Sequence, residues 1–560
     1  MRNPSNTIVL PTVLALLTGC IGNILGSDGP GGGGGDKPPP VTDEPRNLCA
    51  SGQSDRPGPR LLRRLTGPEL TASVRDAFGL SATDYRGSSL PPDPAGRNGF
   101  NNNADRLAID GEYADALLFS AKEVGKLVSS AAQLPRILPC ASGGGASCAE
   151  TFLDTFGRRL YRRPLSDEEK GRYLDLLGTV TGNGGDFKKW VFWTTVGLVQ
   201  SPNFIWRAEL GDGDGGEYTL SGYEVATALA FDLTGRPPSD ALLDLADRGG
   251  LDSADGITAA ARGLILDDAG QVRADFRDIF QRFVSGWLGL SSLANLQKSP
   301  ELYPQFTQEI RDAMKREVTD FVSRVVFDQR GTVADLLTSP ETVFDRTLAG
   351  YYGYGPADQA QAAPVTRPDG WGLGLLAQGS VLAIKANNER SSPTQRGKLV
   401  RERFLCSDMP APPAGVAGNL PQVTGDENTR QRYELISQNA TCAACHQNMD
   451  PIGFAFEHLD AVGRYRDQEQ GGPIDSSGYL HGFGDDVPFN GAAEVATTLA
   501  SRPETASCMA AFMSSFAFGL DHHDTSCLVS SLGKQLGEQM SIVDFYLALA
   551  QTAHFTRRVD

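Results

Sequence analysis

A helix-start signature that occurs three times is the strongest constraint on the fold of this chain. The segments TGPE at 66–69, SDEE at 166–169 and SGYE at 221–224 each place a hydroxyl side chain three residues before a glutamate, just ahead of a periodic apolar run. In such a capping box, the hydroxyl and the carboxylate each bond a backbone N–H that the first helical turn leaves unsatisfied. Alternating strand patterns are scarce, so we predict a mostly α protein.

Apolar spacing and chain breaks extend this prediction to a multi-module helical protein. One run places apolar residues at spacings of three and four, which predicts a single buried stripe on a helix: Phe306, Ile310, Met314, Val318, Phe321 and Val325. Breaks rich in Gly and Pro separate such runs. The predicted modules are helical module 1 at 59–135, helical module 2 at 148–210, helical module 3 at 215–355, a Cys-x-x-Cys-His module at 365–467 and a C-terminal helical module at 475–560.

The N-terminus has the features of an export signal. Arg2 precedes a short apolar run, and residues 17–20 read Leu-Thr-Gly-Cys, which resembles the bacterial lipobox in which the cysteine is acylated. We therefore predict a lipoprotein signal peptide at 1–20, lipidation of Cys20 and a flexible Gly/Pro-rich linker at 21–58. The alternative is a plain signal peptide with a coincidental cysteine. The predicted location is the cell envelope, as an outer-membrane lipoprotein that faces the periplasm or the cell surface.

The charge balance argues against one class of partner. The chain carries a formal net charge of −17, and no stretch gathers the lysines and arginines that a phosphate backbone requires. We therefore expect no nucleic-acid partner, and a membrane contact only through the lipid anchor.

Histidine is confined to the C-terminal part of the chain, between 446 and 554. The larger N-terminal part therefore has no imidazole for base catalysis or metal binding. Asp212 and Asp214 in the segment GDGDGGE could in principle hold calcium, but the loop lacks the third ligand of an EF-hand and is typical of a solvated turn.

The cysteine count is consistent with an oxidising compartment. Nine cysteines are present, and eight remain if Cys20 is lipidated. Sequence alone cannot choose among the possible pairings, and the closest neighbours are the disulfide candidates: Cys140 with Cys148, and Cys508 with Cys527.

The pattern Cys-x-x-Cys-His at 442–446 is the most specific chemical signal in the chain. Two thiols about one helical turn apart match the two vinyl groups of a haem, and the adjacent histidine can bind its iron. Cys442, Cys445 and His446 are therefore predicted to hold one haem c. The alternatives are a redox disulfide, which would favour a βαβ setting, and a zinc site, which would need further nearby ligands.

Longer segments resemble a known family. CAACHQNMDPIGFAFEHLDAVGRYR at 442–466 looks like the cytochrome-like module of secreted multi-module proteins, which are expanded in planctomycetes, common in myxobacteria and known only as a series of domains of unknown function. The other resembling segments follow the family's order: RLTGPELTASVRDAFG, FGRRLYRRPLSDEE, SPNFIWRAE, LSGYEVATALAFDLTGRPPSDALL, LAGYYGYG, SSPTQRGKLVRERFLC and the stretch from Cys508 to Cys527.

This resemblance implies an exported, cytochrome-like protein without an established reaction. Many relatives begin with a separate cytochrome c domain, whereas the N-terminal region here contains only Cys49 beyond Cys20, so at most one haem fits. His458 stands where relatives usually have asparagine.

The second axial ligand would decide the chemistry of such a haem. Met449 follows His446 too closely to reach the opposite side of the ring, whereas Met509 and Met513 lie four apart on one predicted helix face. The distal candidates are those two methionines, His458 and His481. For each of them the alternative is an ordinary role in core packing or at the surface. A bound methionine or histidine gives an electron carrier, and an open position permits peroxide or oxygen chemistry.

The sequence thus favours envelope electron transfer with an unidentified redox partner protein. One alternative is a haem enzyme acting on a substrate bound by the N-terminal modules. Another is a surface binding or structural protein in which Cys442 and Cys445 form a disulfide.

Overall fold

Helices dominate a computed structural model of the chain, which describes residues 57–87, 89–96, 98–410, 427–438, 440–521 and 526–560. The predicted signal peptide, Cys20 and all but the last two residues of the predicted linker lie outside these residues. The mostly α fold is confirmed.

Between residues 57 and 288, the described part of the chain contains twelve α-helices. They are α1 (Gly67–Phe78), α2 (Gly111–Val128), α3 (Leu134–Ile137), α4 (Ala146–Phe152), α5 (Arg158–Tyr161), α6 (Asp167–Gly182), α7 (Phe187–Gln200), α8 (Pro202–Ile205), α9 (Gly222–Thr234), α10 (Asp240–Asp247), α11 (Ala254–Ile265) and α12 (Ala274–Leu288).

The second part adds a further set of helices, which carries the Cys-x-x-Cys-His motif on α19. They are α13 (Gln308–Val322), α14 (Val333–Thr338), α15 (Arg346–Tyr352), α16 (Gly379–Ile384), α17 (Pro393–Phe404), α18 (Thr429–Ser437), α19 (Ala440–Phe454), α20 (Ala492–Ala500), α21 (Pro503–Phe518), α22 (Ser526–Gly537) and α23 (Ile542–Leu549).

The strands are short. They are β1 (Gly58–Pro59), β2 (Leu61–Arg64), β3 (Trp206–Glu209), β4 (Glu217–Thr219), β5 (Glu341–Phe344), β6 (Ala363–Thr366), β7 (Gln468–Glu469), β8 (Gly472–Pro473), β9 (Ser477–Leu480), β10 (Val487–Asn490) and β11 (Arg557–Val559). In a three-stranded sheet, β11 lies between β1, which is parallel to it, and β4, which is antiparallel. The two ends of the described chain therefore meet.

Local sequence signals account for where the main helices begin. All three predicted capping boxes are present, at the starts of α1, α6 and α9. The predicted stripe is also confirmed, since Ile310, Met314, Val318 and Phe321 of α13 are buried. These features follow from neighbours within two turns, so the sequence suffices to predict them.

Two hydrophobic clusters hold the described residues together, and each spans more than one predicted module. The first runs from Leu65 to Ile205 and adds Phe231. The second contains Phe100 and apolar residues from Leu220 to Phe555, and it includes the helices around α19. The helix that carries the motif is thus anchored in a core that helical module 3 and the C-terminal module share.

A buried ionic network joins segments that are distant in the sequence. Asp232 of α9 accepts from Arg63 of β2 at 2.5 Å and from Arg207 of β3 at 2.7 Å. Glu209 accepts from Arg207 at 2.9 Å and also pairs with Arg558 of β11. Breaking such a network by removing one partner would leave an uncompensated buried charge, so it fixes the arrangement of these strands.

The helices in the described part of the chain are all too short or too polar to cross a bilayer.

Candidate functional site

The first turns of α19 bring the predicted haem-binding residues together. Cys442 and Cys445 lie one helical turn apart, and His446 follows directly. Both cysteines are partly exposed, and neither is in a disulfide. The helix therefore presents two thiols and an imidazole along its N-terminal part.

A buried carboxylate holds the imidazole of His446 on one side. Its Nδ1 lies 2.7 Å from Oδ2 of Asp450, one turn further along α19, and the Asp450 side chain is only 4% exposed. An ionised carboxylate only accepts, so Nδ1 donates and Nε2 is the nitrogen left with a lone pair. This hydrogen bond raises the pKa of His446 above its ordinary value.

Thr394 of α17 completes this arrangement. Its hydroxyl donates to Oδ1 of Asp450 at 2.6 Å and lies 3.4 Å from Nδ1 of His446. Both carboxylate oxygens are thereby occupied, which fixes the orientation of the carboxylate and, through it, the orientation of the imidazole.

Glycines allow α17 to approach α19 closely enough for this contact. A Cβ on Gly397 would come within 1.8 Å of the Met449 carbonyl oxygen, and one on Gly453 within 1.9 Å of the Pro393 carbonyl oxygen. Any side chain at either position would push the two helices apart. Thr394, in the first turn of α17, reaches Asp450 because the two backbones are in contact.

A second buried charge cluster fixes the segment that follows α19. The Arg396 guanidinium donates to the backbone carbonyls of Phe456, Leu459 and Asp460 at 2.7–2.8 Å. Glu457 accepts from the Ser391 hydroxyl at 2.5 Å and from Arg466 at 2.8 Å. The chain after α19 is therefore attached to α17 and to the loop before it.

The predicted distal ligands lie in other settings. Met509 and Met513 of α21 are buried in the second hydrophobic cluster. His458 stacks on Tyr465, and its Nδ1 lies 3.0 Å from the Arg466 carbonyl oxygen. The Nδ1 of His481 lies 2.7 Å from Asp486 near the surface.

Within the described residues, His446 makes its hydrogen bonds and ring contact with Thr394, Asp450 and Tyr433, and with none of the four distal candidates. Tyr433 of α18 lies 6.4 Å from the imidazole, centroid to centroid. Groups of three or more His, Cys, Asp or Glu side chains suited to a metal ion are not found in the described part of the chain, the Asp212–Asp214 turn included.

Sequence reasoning missed Asp450, Thr394 and Tyr433. Asp450 had a usable signal, since a carboxylate four residues after a histidine shares its helix face. Thr394 and Tyr433 had none, because only the packing of α17 and α18 on α19 brings them near.

The disulfides agree with the predicted pairs in one case and differ in the other. Cys140 is bonded to Cys148 as predicted. Cys508 is bonded to Cys406, so its predicted pairing with Cys527 is wrong. The physical reason is that α17 packs against α21, which brings Cys406, just after α17, beside a helix about 100 residues further along the chain. Cys49 and the side chain of Cys527 lie outside what the structure describes.

The fold and the site define a mostly helical protein with a Cys-x-x-Cys-His helix anchored in a shared core. Four family models match successive parts of the chain, and each is described as a protein of unknown function: PSD3 (DUF1587) at 63–129, PSD5 (DUF1595) at 148–209, PSD4 (DUF1592) at 220–354 and PSCyt3 (DUF1588) at 373–469. The chain is thus a multi-module series of these domains. No curated protein and no solved structure matches it.

Proposed function

We propose that this chain is an exported electron-transfer protein that carries one c-type haem on α19. Cys442 and Cys445 would form the thioether bonds, and Nε2 of His446 would bind the iron. The observation that carries the proposal is the His446–Asp450 hydrogen bond beside two cysteines that are not in a disulfide. The name of the family that matches this region, PSCyt3, also supports the proposal.

The residues present fit the group. Covalent attachment needs two unpaired thiols one turn apart, and α19 supplies them. A metal-binding histidine typically donates its other ring nitrogen to a carboxylate or carbonyl, which fixes both tautomer and orientation. When bound, the haem supplies an iron centre that gains and loses one electron.

Asp450 would act through the imidazole. It holds the proton on Nδ1 and makes the ring a stronger donor at Nε2. A stronger donor stabilises the more positive, oxidised iron and so lowers the reduction potential. Thr394 would keep the carboxylate in place for this role.

The location belongs to the same proposal. Acylation of Cys20 would anchor the protein to the envelope, with residues 21–58 as a tether, and the folded part would exchange electrons with a redox partner protein. The composition of the tether, rich in Gly and Pro, supports a flexible connection.

The decisive experiment is expression in a host that has a haem c maturation system. The denatured protein should keep its haem absorbance and the mass of one haem, because thioether bonds survive unfolding. The double substitution Cys442→Ala and Cys445→Ala should abolish both signals. His446→Ala should change the spectrum or prevent attachment, whereas His481→Ala, which removes a similar histidine–aspartate pair near the surface, should leave the covalent attachment of the haem unchanged.

A colourless wild-type protein with a reducible Cys442–Cys445 bridge would overturn the haem proposal. The binding or structural role would then take its place.

The contacts of the distal candidates favour a second candidate function, that of a haem enzyme. Because both methionine candidates are buried core residues, a haem held by His446 alone, with room for a small molecule at the iron, would be compatible with the structure. Carbon monoxide binding to the reduced protein distinguishes the two. Rapid binding supports the enzyme, and absence of binding supports the carrier.

A further inference from the structure

A cavity of about 680 Å³ lies away from α19, where α1, residues 86–87 and 90–93, the C-terminal end of α9 and α12 meet. None of its lining residues belongs to the region that contains the Cys-x-x-Cys-His motif. The volume is in the range of small-molecule sites, and the site lies between elements of two modules, where such sites often occur.

Arginine is concentrated in this cavity. Four of the 18 lining residues are arginines, namely Arg75, Arg86, Arg236 and Arg282. Lysine and arginine together make up only 51 of the 560 residues in a chain of net charge −17. Three aspartates also line it, so the cavity is richer in arginine than the chain as a whole but has only a small excess of positive charge.

Some of the charges in the cavity are already paired. Arg236 bonds Asp76 and lies 3.6 Å from Asp275. Asp93 accepts from Arg64 at 2.8 Å and from the backbone N–H of Gly67 at 2.8 Å. These groups hold the walls together rather than face a ligand.

Arg75 donates from Nε to the Tyr85 carbonyl oxygen at 2.7 Å, and three charged side chains remain without such a partner. The side chains of Arg86, Arg282 and Asp278, all three exposed, form neither a hydrogen bond nor an ion pair with any residue in the described part of the chain. Two guanidinium groups and one carboxylate in the cavity are therefore available to a bound molecule.

Local backbone geometry explains the position of Arg282. Gly235 ends α9 in the left-handed conformation, with φ of 66°. A Cβ there would lie 3.2 Å from Nη1 of Arg282 and 3.0 Å from Cδ1 of Ile279. The glycine thus lets the guanidinium approach the C-terminal end of α9, whose partial negative charge favours a cation.

We propose that this cavity binds a small organic acid, with its oxyanion held by Arg86 and Arg282. The planar guanidinium matches a carboxylate or phosphate group through paired N–H donors. Asp278 would accept a hydrogen bond from a hydroxyl or amino group of the same molecule. The ligand class is therefore a hydroxy acid, an amino acid or a small phosphate ester.

Calorimetric titration of the full chain with gluconate tests the proposal. Glucose has a similar size and hydroxyl pattern without the carboxylate, so it should not bind. Inorganic phosphate in a parallel titration shows whether a phosphate group is preferred. Binding of gluconate or of phosphate supports the oxyanion site and identifies its chemistry.

The matched variants are Arg86→Gln with Arg282→Gln in the cavity, and Arg262→Gln on the exposed face of α11. The double variant should weaken the binding of the anion at least about tenfold, as expected for loss of charge-assisted bonds. Arg262→Gln should leave it unchanged. If the double variant does not fold, Arg86→Gln alone serves, since Arg86 is exposed. The proposal is wrong if neither anion binds, or if all variants bind equally.

Discussion

Acidification should destabilise the protein through one buried histidine, His554. The residue is 1% exposed, its ring stacks on Phe518 at 3.5 Å, and neither ring nitrogen has a hydrogen-bond partner among the residues that the structure describes. Burial lowers the pKa of His554 well below its ordinary value, and the neighbouring Arg558 and Arg63 lower it further, against an opposing effect of Glu209. The folded protein therefore keeps this ring neutral.

The sign and size of the effect follow from proton linkage. A base whose pKa is depressed in the folded state contributes its full stability above its unfolded pKa, and loses it as the pH falls. The pKa of a histidine in the unfolded chain is about 6.5. When the pH falls from 7.5 to 5.5, the unfolded chain therefore binds a proton at His554 and the folded chain does not. The expected loss is about 1.4 kcal/mol in the free energy of unfolding.

Urea unfolding at the two pH values, in the wild type and in His554→Phe, measures this loss. Other groups also titrate: buried carboxylates such as Glu317 and Glu457, whose pKa is raised by burial, make the protein more stable at low pH. The comparison of the two proteins cancels those contributions. His554→Phe can cost stability through tighter packing, but that cost does not depend on pH.

The control is Phe545→Leu, which changes a fully buried aromatic residue that does not titrate and should keep the wild-type pH dependence. An equal loss between pH 7.5 and 5.5 in the wild type and in His554→Phe would refute the argument. It would mean that His554 is protonated in the folded state, and that its surroundings are more polar than described.

Three further predictions concern the site, the helix crossing and the anchor. Asp450→Asn should raise the reduction potential of the haem-loaded protein by about 40–90 mV, the equivalent of about 1–2 kcal/mol of charge-assisted hydrogen bonding, whereas Asp486→Asn should leave it unchanged in the same voltammetric measurement. Gly397→Ala should destabilise the protein by about 3 kcal/mol in urea unfolding, because its methyl group would strike the backbone of α19. Gly171→Ala, with nothing near its Cβ on α6, should be neutral or slightly stabilising. Cys20→Ala should move the protein out of the membrane fraction or leave its precursor unprocessed.

Features with local causes could be predicted from the sequence. The capping boxes at α1, α6 and α9 depend on two side chains three residues apart, and the stripe on α13 depends on helical spacing alone. The Cys140–Cys148 disulfide closes a loop of only eight residues, so proximity in sequence was a sufficient guide.

Features that depend on packing could not be predicted. The Cys406–Cys508 disulfide spans 102 residues, and only the contact between α17 and α21 brings its sulfurs together. The buried network of Arg63, Asp232 and Arg558 likewise joins the two ends of the described chain with α9. Nothing within a window of a few turns signals such contacts, because the partners are set by the arrangement of whole helices.

The candidate site combines both kinds of information. The motif Cys-x-x-Cys-His is local and could be read directly, but a chance motif on a helix would equally present two thiols and an imidazole. What distinguishes this one is the environment of His446: a carboxylate that is itself buried, and a threonine from another helix that occupies the second carboxylate oxygen. That threonine reaches the site only because Gly397 and Gly453 let α17 and α19 approach each other closely. Gly397→Ala should therefore lower the stability of the protein and also change the geometry at His446. A change in the haem spectrum of this variant, in the fraction that remains folded, would show that α17 positions the imidazole and does not merely support α19.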